Sequence, residues 1–257
     1  MPTGKEILKG LVLRTCSPGV QKELRRWYVV RDVLRASKHE EPEAALLPSL
    51  IRSGDSVADI GANVGYYTRQ LASLVGRDGR VYSFEPLAEN FEILETVVRK
   101  GHLENVRCFR TALGLQPGLR ELVIPNMKAF TGTYWAHFAH PGDSGRRESA
   151  TVLSLDTLWK QRVIPQLDFI KCDVERAELE VLEGGRELIR SQHAGWLLEV
   201  SQKTSADVFS LFHAEDYHAF VYAGKLAPTE QYQEGKFSNY FFLHPESVLW
   251  RRILPSS

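Results

Sequence analysis

The sequence of 257 residues has little cysteine and no long hydrophobic run. Its three cysteines, Cys16, Cys108 and Cys172, form no C-x-x-C pair and no even-numbered framework, which argues against a disulfide-stabilised secreted scaffold. The sequence shows neither a signal-peptide core near its start nor a run approaching the ~20 apolar residues of a membrane-spanning helix. We therefore expect a cytoplasmic protein in a reducing environment.

Net charge is also absent, since Lys+Arg and Asp+Glu number 32 each. Proteins dedicated to nucleic acids usually carry a basic excess or a basic stripe, so no nucleic-acid partner is expected. The eight histidines show no H-x-x-x-H or similar ligand spacing. With 43% hydrophobic and 25% charged residues, the composition is that of an ordinary globular protein.

Residues 1–50 are predicted to form an N-terminal helical extension. Residues 1–40 carry nine Lys/Arg and four Asp/Glu, a local net charge of +5. A helix is predicted over residues 17–36, with an apolar stripe of Leu24, Trp27, Tyr28, Val30, Val33 and Leu34. Such stripes normally pack on the core or on a sister subunit, which is the favoured interpretation and includes a homodimer. Peripheral contact of this helix with a membrane surface is the alternative.

Residues 51–257 are predicted to form one α/β domain, because short apolar segments alternate with helical patterns. Strands are predicted at Ser56–Ile60, Arg80–Glu85, Val106–Phe109, Leu167–Cys172, Trp196–Val200, near Phe220 and at Tyr240–Leu243, and helices at Val64–Leu74, Leu87–Arg99, Ala177–Ile189 and Ala206–Phe212. This alternation is typical of a doubly wound, mainly parallel sheet, with an antiparallel pair at the end of the chain. Between Leu122 and Leu153 it stops, and the aromatic-rich segment Lys128–Arg147 is either a substrate-facing loop or a packed surface excursion.

The segment from Asp59 to Gly65 ends the first predicted strand and opens the first helix. In doubly wound sheets, ligands bind beyond the carboxyl ends of the strands. Gly61 permits a tight turn with close backbone approach, and the helix start suits an anion such as a carboxylate. Asp59 needs a partner, which a cationic amino group on the ligand would provide, and Thr68 would add a hydroxyl.

Glu85 ends the second predicted strand, 26 residues after Asp59. A carboxylate at this position accepts hydrogen bonds from both hydroxyls of a ribose. The dinucleotide pattern G-x-G-x-x-G is not met, because Asn63 stands between Gly61 and Gly65. The combination fits a nucleoside that carries an amino acid better than it fits a dinucleotide.

Several segments, in order, resemble the FkbM family of methyltransferases. They are Val57–Thr68, Phe84–Pro86, Ala112–Gly114, Leu155–Leu158, Asp168–Leu182 and Asn239–Phe242, within residues 45–245. The resemblance implies a Rossmann-like sheet of seven strands whose last strand is antiparallel. It implies methyl transfer from S-adenosylmethionine to a hydroxyl oxygen, with a sugar, a glycolipid or a secondary metabolite as acceptor. The cofactor-binding residues are then Asp59, Gly61, Ala62, Asn63, Gly65, Thr68, Glu85, Pro86 and Ala112. Arg176 departs from the family, which commonly has glycine there.

Asp173 and Glu175 follow the predicted strand Leu167–Cys172 and are the candidate catalytic bases. Methyl transfer to a hydroxyl requires alignment of donor and acceptor and removal of a proton. The alternative is that one of the two caps the helix beginning near Ala177. Glu199 ends the next strand and could join them around Mg²⁺, but no third acidic ligand is evident from the sequence, and no metal site is predicted.

The sequence disfavours three other functions. A nicotinamide-dependent oxidoreductase shares the fold class, but the missing G-x-G-x-x-G counts against it. A non-catalytic interaction protein with a vestigial cofactor fold is disfavoured by the intact turn and the Asp173 cluster. Nucleic-acid methylation is disfavoured by the neutral charge and by the lack of the Asn/Asp-Pro-Pro-Tyr/Phe/Trp element. The sequence does not specify the acceptor.

Overall fold

The computed structural model describes residues 17–36, 41–126 and 132–253. Residues 1–16 (with Cys16) and 37–40 of the predicted extension lie outside these ranges, as do residues 128–131 of the predicted insertion. The helices are α1 (Pro18–Arg35), α2 (Leu47–Leu50), α3 (Tyr66–Val75), α4 (Ala88–Lys100), α5 (Leu155–Lys160), α6 (Glu178–Glu183), α7 (Arg186–Gln192), α8 (Ser205–His213) and α9 (Val248–Ile253). The strands are β1 (Ser56–Ile60), β2 (Arg80–Phe84), β3 (Val106–Phe109), β4 (Ala112–Leu113), β5 (Gly118–Pro125), β6 (His137–Phe138), β7 (Gly145–Leu153), β8 (Phe169–Cys172), β9 (Gly195–Glu199), β10 (His218–Tyr222), β11 (Leu226–Thr229) and β12 (Asn239–Leu243). Two 3₁₀ segments span Pro42–Leu46 and Gly132–Trp135.

The main sheet has the strand order β11-β10-β12-β9-β8-β1-β2-β3. Every neighbouring pair from β9 to β3 is parallel. The last strand, β12, runs antiparallel between β9 and β10. The chain winds outward from β1 in one direction and returns to the other side of β1 with β8, so a topological switch point lies at β1. The doubly wound fold class with an antiparallel last strand is confirmed.

The sheet has eight strands rather than the seven expected. The additional strand, β11, pairs only with β10 among the described strands and lies at the edge. It contains Pro228. An edge strand tolerates proline because its outer side has no neighbouring strand and therefore needs no N–H donor. The sequence pattern predicts no strand between the one near Phe220 and the one at Tyr240–Leu243, so it misses β11.

The single helix predicted over Ala177–Ile189 is wrong. It is broken into α6 and α7 at Gly184 and Gly185. A Cβ atom on Gly184 would lie 2.1 Å from the carbonyl oxygen of Gly114. This close approach of two backbones is possible only without a side chain, so tertiary packing overrides the apolar periodicity.

Local signals explain several of the helix boundaries. α3 ends at Gly76, which has φ of +62°, a conformation that costs glycine little. α5 begins at Ser154, whose hydroxyl accepts a hydrogen bond from the backbone N–H of Thr157 at 3.2 Å. α4 carries Glu89 in its first turn and basic residues in its last, in agreement with the helix dipole.

The extension packs on the rest of the fold. Val30 and Val33 of α1 are buried against Ile93 and Val97 of α4. Further along, the buried residues Ala44, Leu47, Leu50 and Ile51 belong to the same apolar cluster as Val57 of β1. None of the described helices is long and apolar enough to cross a bilayer.

The described part of the segment from Leu122 to Leu153 belongs to a second sheet. Its strand order is β4-β7-β5-β6. Leu122, Ile124 and Phe138 of this sheet pack against Leu87, which follows β2, and Ala177, which follows β8. The small sheet therefore lies near the carboxyl ends of the central strands, beside the switch point.

Candidate active site

A cavity of about 460 Å³ lies between the carboxyl ends of the central strands and the small sheet. This volume falls in the range of cofactor and small-molecule sites. Its wall contains six of the predicted cofactor-binding residues and both candidate bases. They are Gly61, Ala62, Asn63, Glu85, Pro86, Ala112, Asp173 and Glu175.

The turn after β1 has an unusual backbone. Gly61, Asn63 and Gly65 have φ of +78°, +51° and +98°. Glycine and asparagine are the residues that most readily take this left-handed conformation. The N–H groups of Gly61 and Ala62 both donate to the carbonyl of Phe84 at the end of β2. The turn is thereby fixed to the neighbouring strand.

Glu85 is held at the cavity wall by two backbone donors. Its Oε2 accepts the N–H of Asn63 and its Oε1 accepts the N–H of Leu87, both at 2.9 Å. Burial raises the pKa of Glu85 to about 7, against the effect of these hydrogen bonds. Each carboxylate oxygen has a second lone pair, so Glu85 retains acceptor capacity for two ligand hydroxyls.

Three predicted cofactor residues, Asp59, Gly65 and Thr68, lie outside the cavity wall. Asp59 is fully buried, and its Oδ2 accepts the hydroxyl of Thr68 at 2.6 Å. Side chains alternate along a strand, which turns Asp59 towards α3. Burial raises its pKa, opposed by Lys171 and by the bond from Thr68. The Oδ1 atom of Asp59 has no partner in the described part of the chain. Direct contact of these residues with a cofactor stays a prediction.

Three carboxylates converge at the ends of β8 and β9. Oxygens of Asp173, Glu178 and Glu199 all lie within 4.8 Å of one another. Burial raises the pKa of Glu199 well above its ordinary range, and the charges of Asp173 and Glu175 add to this. Glu178 is the third acid that the sequence did not reveal, because its position depends on how α6 packs.

A buried cation already balances this cluster. Lys171 is buried, and its Nζ lies 3.2 Å from Oδ2 of Asp173. Burial alone would lower its pKa, but the carboxylates of Asp173 and Asp59 outweigh it and raise the pKa. Glu178, in turn, accepts the N–H of Val174 at 3.1 Å. Mg²⁺ is therefore not supported, since one acid is bonded to the backbone and another to an ammonium group.

A polar chain links this cluster to the extension. Nζ of Lys171 lies 4.8 Å from the centre of the Tyr67 ring, a cation–π contact. The hydroxyl of Tyr67 donates to Oε2 of Glu41 at 2.5 Å, and Glu41 lines the cavity. Sequence reasoning missed Glu41 and Tyr67, and no local signal pointed to either.

Glu175 and Arg176 are consecutive residues in the left-handed region, with φ of +54° and +74°. This conformation costs roughly 1–2 kcal/mol for a residue other than glycine. A glycine at position 176, as is common in the family that the sequence resembles, would avoid that strain. Burial raises the pKa of Glu175 to about 7, and Asp173 and Glu178 contribute to the rise. Asp173 bonds to Lys171 rather than to the first turn of α6.

The segment before β7 contributes to the cavity through Thr133, Trp135, Ala136 and Phe138. It is therefore more than a surface excursion, although its residues 128–131 lie outside the described ranges. His137 and His140, the two histidines of this segment, are not part of the wall. Instead, His137 contacts the carbonyl of Trp135 and the carboxylate of Asp143.

The cavity at the switch point, the glycine turn and the clamped Glu85 have the arrangement that a nucleotide-type cofactor site in a doubly wound fold requires. The methyltransferase FkbM domain model matches residues 59–221, well over half of the chain. The chain therefore belongs to the FkbM methyltransferase family, and the resemblance noted in the sequence is confirmed. Glu41 and the whole of α1 lie before the matched segment.

Solved structures were also compared with the chain. A methyltransferase FkbM from Methylobacillus flagellatus is 15% identical, with a TM-score of 0.49 over 85% of this chain and 59% of that chain. An S-adenosylmethionine-dependent O-methyltransferase from Thermotoga maritima is 11% identical, with a TM-score of 0.48 over 84% and 71%. Fibrillarin from Aeropyrum pernix, with bound S-adenosylmethionine, is 14% identical, with a TM-score of 0.44 over 82% and 75%. This chain thus spans less than two thirds of the first of these. No curated protein matches the sequence.

Proposed function

We propose that this chain transfers the methyl group of S-adenosylmethionine to a hydroxyl oxygen of a small molecule or glycan, with a carboxylate as general base. One observation carries the proposal: the turn after β1 lies between two carboxylate sites. On one side, the N–H of Asn63 donates to Glu85. On the other, Gly61 lies against the main chain of Asp173. A ligand over this turn reaches both sites.

The charge of the wall suits this cofactor. Five acidic side chains line the cavity, from Glu41, Glu85, Asp173, Glu175 and Glu199, and Lys171 is the basic side chain among its described lining residues. A bound cation favours the ionised form of these acids, so the wall suits a ligand with a sulfonium and an amino group. Glu85 would hold the ribose hydroxyls. The Oδ1 atom of Asn63 is buried without a partner in the described chain, and it offers a further acceptor.

The acid cluster suits proton removal. S-adenosylmethionine supplies an electrophilic methyl group whose bond to sulfur breaks as the bond to the acceptor oxygen forms. The hydroxyl proton then has to pass to a base, which works best when its pKa lies near the pH at which the enzyme operates. Glu175 has a pKa of about 7 and lines the cavity, which makes it the stronger candidate. Asp173, which is held by Lys171, is the alternative base. If Glu175 is the base, Asp173 instead helps to orient the other carboxylates of the cluster.

The aromatic wall indicates where an acceptor would lie. Trp135 is half exposed and Phe138 is buried, and both line the cavity from the small-sheet side. An indole face gives a flat apolar surface of the kind on which a sugar ring or a polyketide can rest. Arg176 is exposed beside Glu175, where it would meet an acidic group on an acceptor that extends out of the cavity. These residues support a small organic or glycan acceptor.

Cofactor binding and transfer are tested separately. Calorimetry should show S-adenosylhomocysteine binding, strongly weakened in Glu85→Ala, whereas NADH should not bind. Mass spectrometry of reactions with a panel of sugars and glycolipids should then show a gain of one methyl group on a hydroxyl. Binding of NADH without S-adenosylhomocysteine would refute the proposed cofactor. Binding without transfer to any acceptor in a broad panel would favour the non-catalytic alternative.

A further inference from the structure

Helix α1 presents an apolar stripe to solvent, on the face opposite its packed side. Val20, Leu24, Trp27 and Tyr28 are exposed by 47%, 41%, 53% and 47% of their surface. Their spacing of i, i+4, i+7 and i+8 places them on one face of the helix. Val30 and Val33, which contact α4, lie on the other face. The sequence-based interpretation of one core-facing stripe is therefore only half correct, because the stripe of six divides between two faces.

Basic residues continue the outward face. Arg31 and Arg35 follow Trp27 and Tyr28 at helical spacing and are exposed. Within the described residues neither makes an ion pair, and the guanidinium of Arg31 lies 5.2 Å from the Trp27 ring centre. Arg25 and Arg26, by contrast, are paired with Glu89 and Glu92 of α4. The outward face is thus apolar in its first half and cationic in its second.

We propose that this outward face, formed by Val20, Leu24, Trp27, Tyr28, Arg31 and Arg35, docks the protein on an anionic lipid surface. Tryptophan and tyrosine are enriched at the level of lipid headgroups, and arginine is attracted to anionic headgroups. An interfacial helix combines an apolar face with basic residues in this way. Within the described residues, no acidic side chain lies at the centre of the face; Glu23 and Asp32 lie at its margins.

A second copy of the chain fits this face less well. In a two-fold contact residue i of one copy meets residue j of the other, so Arg31 and Arg35 would meet either their own copies or the apolar half of the partner's face. The first arrangement places like charges together and the second buries a guanidinium group without a counter-charge, and both destabilise the contact. An anionic surface instead meets both halves of the face favourably. Charge therefore distinguishes the two occupants.

The docking face lies beside the cavity. Asp32, next to Arg31 on α1, accepts the hydroxyl of Tyr66 at 2.5 Å, and Tyr66 lines the cavity. A membrane bound to the outward face of α1 would therefore lie close to the part of the cavity wall that Tyr66 forms. The docking itself does not depend on the proposed methyl transfer, so it is measured without turnover.

The test is sedimentation of the full chain with vesicles of phosphatidylglycerol and phosphatidylcholine, compared with phosphatidylcholine alone. Binding is expected to the anionic vesicles only and to weaken as salt is raised. Leu24→Gln with Trp27→Gln should lower the partition coefficient at least ~10-fold through lost apolar burial. Arg31→Gln with Arg35→Gln should lower it ~25-fold, from about fivefold for each charge.

Matched controls come from other exposed positions. Leu119→Gln with Arg107→Gln removes the same kinds of side chain elsewhere on the surface and should leave partitioning unchanged. Circular dichroism and S-adenosylhomocysteine binding should be the same for all variants, which separates lost docking from misfolding. No sedimentation with anionic vesicles, or equal loss in the control, would overturn the proposal. So would a dimer, seen by ultracentrifugation, that Leu24→Gln with Trp27→Gln dissociates while vesicle binding is absent.

Discussion

The main-chain carbonyl oxygen of Asp173 occupies the space that a side chain on Gly61 would need. A Cβ atom there would lie 1.8 Å from that oxygen. The N–H of Asp173 also donates to the carbonyl of Ile60 at 3.0 Å. The end of β8, which carries the candidate base, is thereby held against the turn that carries the candidate cofactor site.

Gly61→Ala is expected to disrupt both the contact of the turn with the end of β8 and the candidate cofactor site that the turn carries. The added carbon would collide with the carbonyl of Asp173 and would also strain a φ of +78°. A loss of stability of about 3 kcal/mol or more is expected, with no measurable S-adenosylhomocysteine binding. Gly118→Ala, where a Cβ atom meets nothing within 4 Å, is the control and should change stability by no more than about 0.5 kcal/mol. Chemical denaturation and calorimetry measure both; wild-type behaviour of Gly61→Ala would contradict the close packing.

Glu85→Gln should weaken S-adenosylhomocysteine binding ~10–100-fold, since hydrogen bonds to a charged acceptor are worth roughly 1.5–3 kcal/mol. The amide nitrogen also cannot accept the N–H of Asn63 or Leu87. In the wild type, affinity should rise between pH 6 and pH 8, because a carboxyl with a pKa of about 7 becomes the stronger acceptor as it ionises. Calorimetry at three pH values tests this. The exposed Glu104→Gln should behave as wild type; a flat pH dependence would argue against contact of Glu85 with the ligand.

If Glu175 is the base, kcat/KM for the acceptor should rise as the pH passes through about 7, because only the ionised carboxyl accepts a proton. Glu175→Gln should lower kcat ~10²–10⁴-fold and abolish this rise, with little change in cofactor affinity. Initial rates over pH 5.5–9 measure it, with Glu183→Gln as a surface control. A wild-type rate and pH profile in Glu175→Gln, together with loss of activity in Asp173→Asn, would assign the base to Asp173.

Glu199→Gln is expected to stabilise the cofactor-free protein at alkaline pH. The folded state raises the pKa of Glu199, so it keeps a proton that the unfolded chain releases above pH ~4.5. The folded state then binds more protons than the unfolded state, and the stability of the wild type falls as the pH rises towards the folded pKa. The Glu199→Gln variant has no ionisable group at this position, so this loss of stability with rising pH is absent from it. Its Tm should exceed that of the wild type by about 2–4 °C at pH 8, equivalent to roughly 1 kcal/mol, and by less at pH 5. A Tm difference that is the same at both pH values would count against the raised pKa.

Much of the fold was predictable because its signals are local. The apolar runs ending at Ile60 and Phe84 are buried strands, and the glycines at 61 and 65 take the positive φ that the turn requires. The candidate site followed from these strand ends, since parallel strands bring their carboxyl ends to one edge. Glu85 and Asp173 line the cavity for that reason.

The parts that were missed depend on packing between distant segments. Asp59 does not line the cavity, because strand alternation and a hydrogen bond from Thr68 turn it towards α3, and its contact with a ligand stays a prediction. The contact between Glu41 and Tyr67 joins residues 26 positions apart with no pattern between them. Glu178 meets Glu199 because the start of α6 packs beside the end of β9, 21 residues further along the chain.

The position of β12 has a consequence for synthesis of the chain. β12 lies between β9 and β10, although β10 is made first. Until residue 243 has left the ribosome, the edge of β9 that faces away from β8 lacks its native neighbour, β12. For the same time β10 has no strand through which it can join the sheet. Phe241 and Phe242, fully buried at the end, arrive last. A nascent or truncated chain that stops before them exposes an open strand edge, which is the part most prone to pair with another chain.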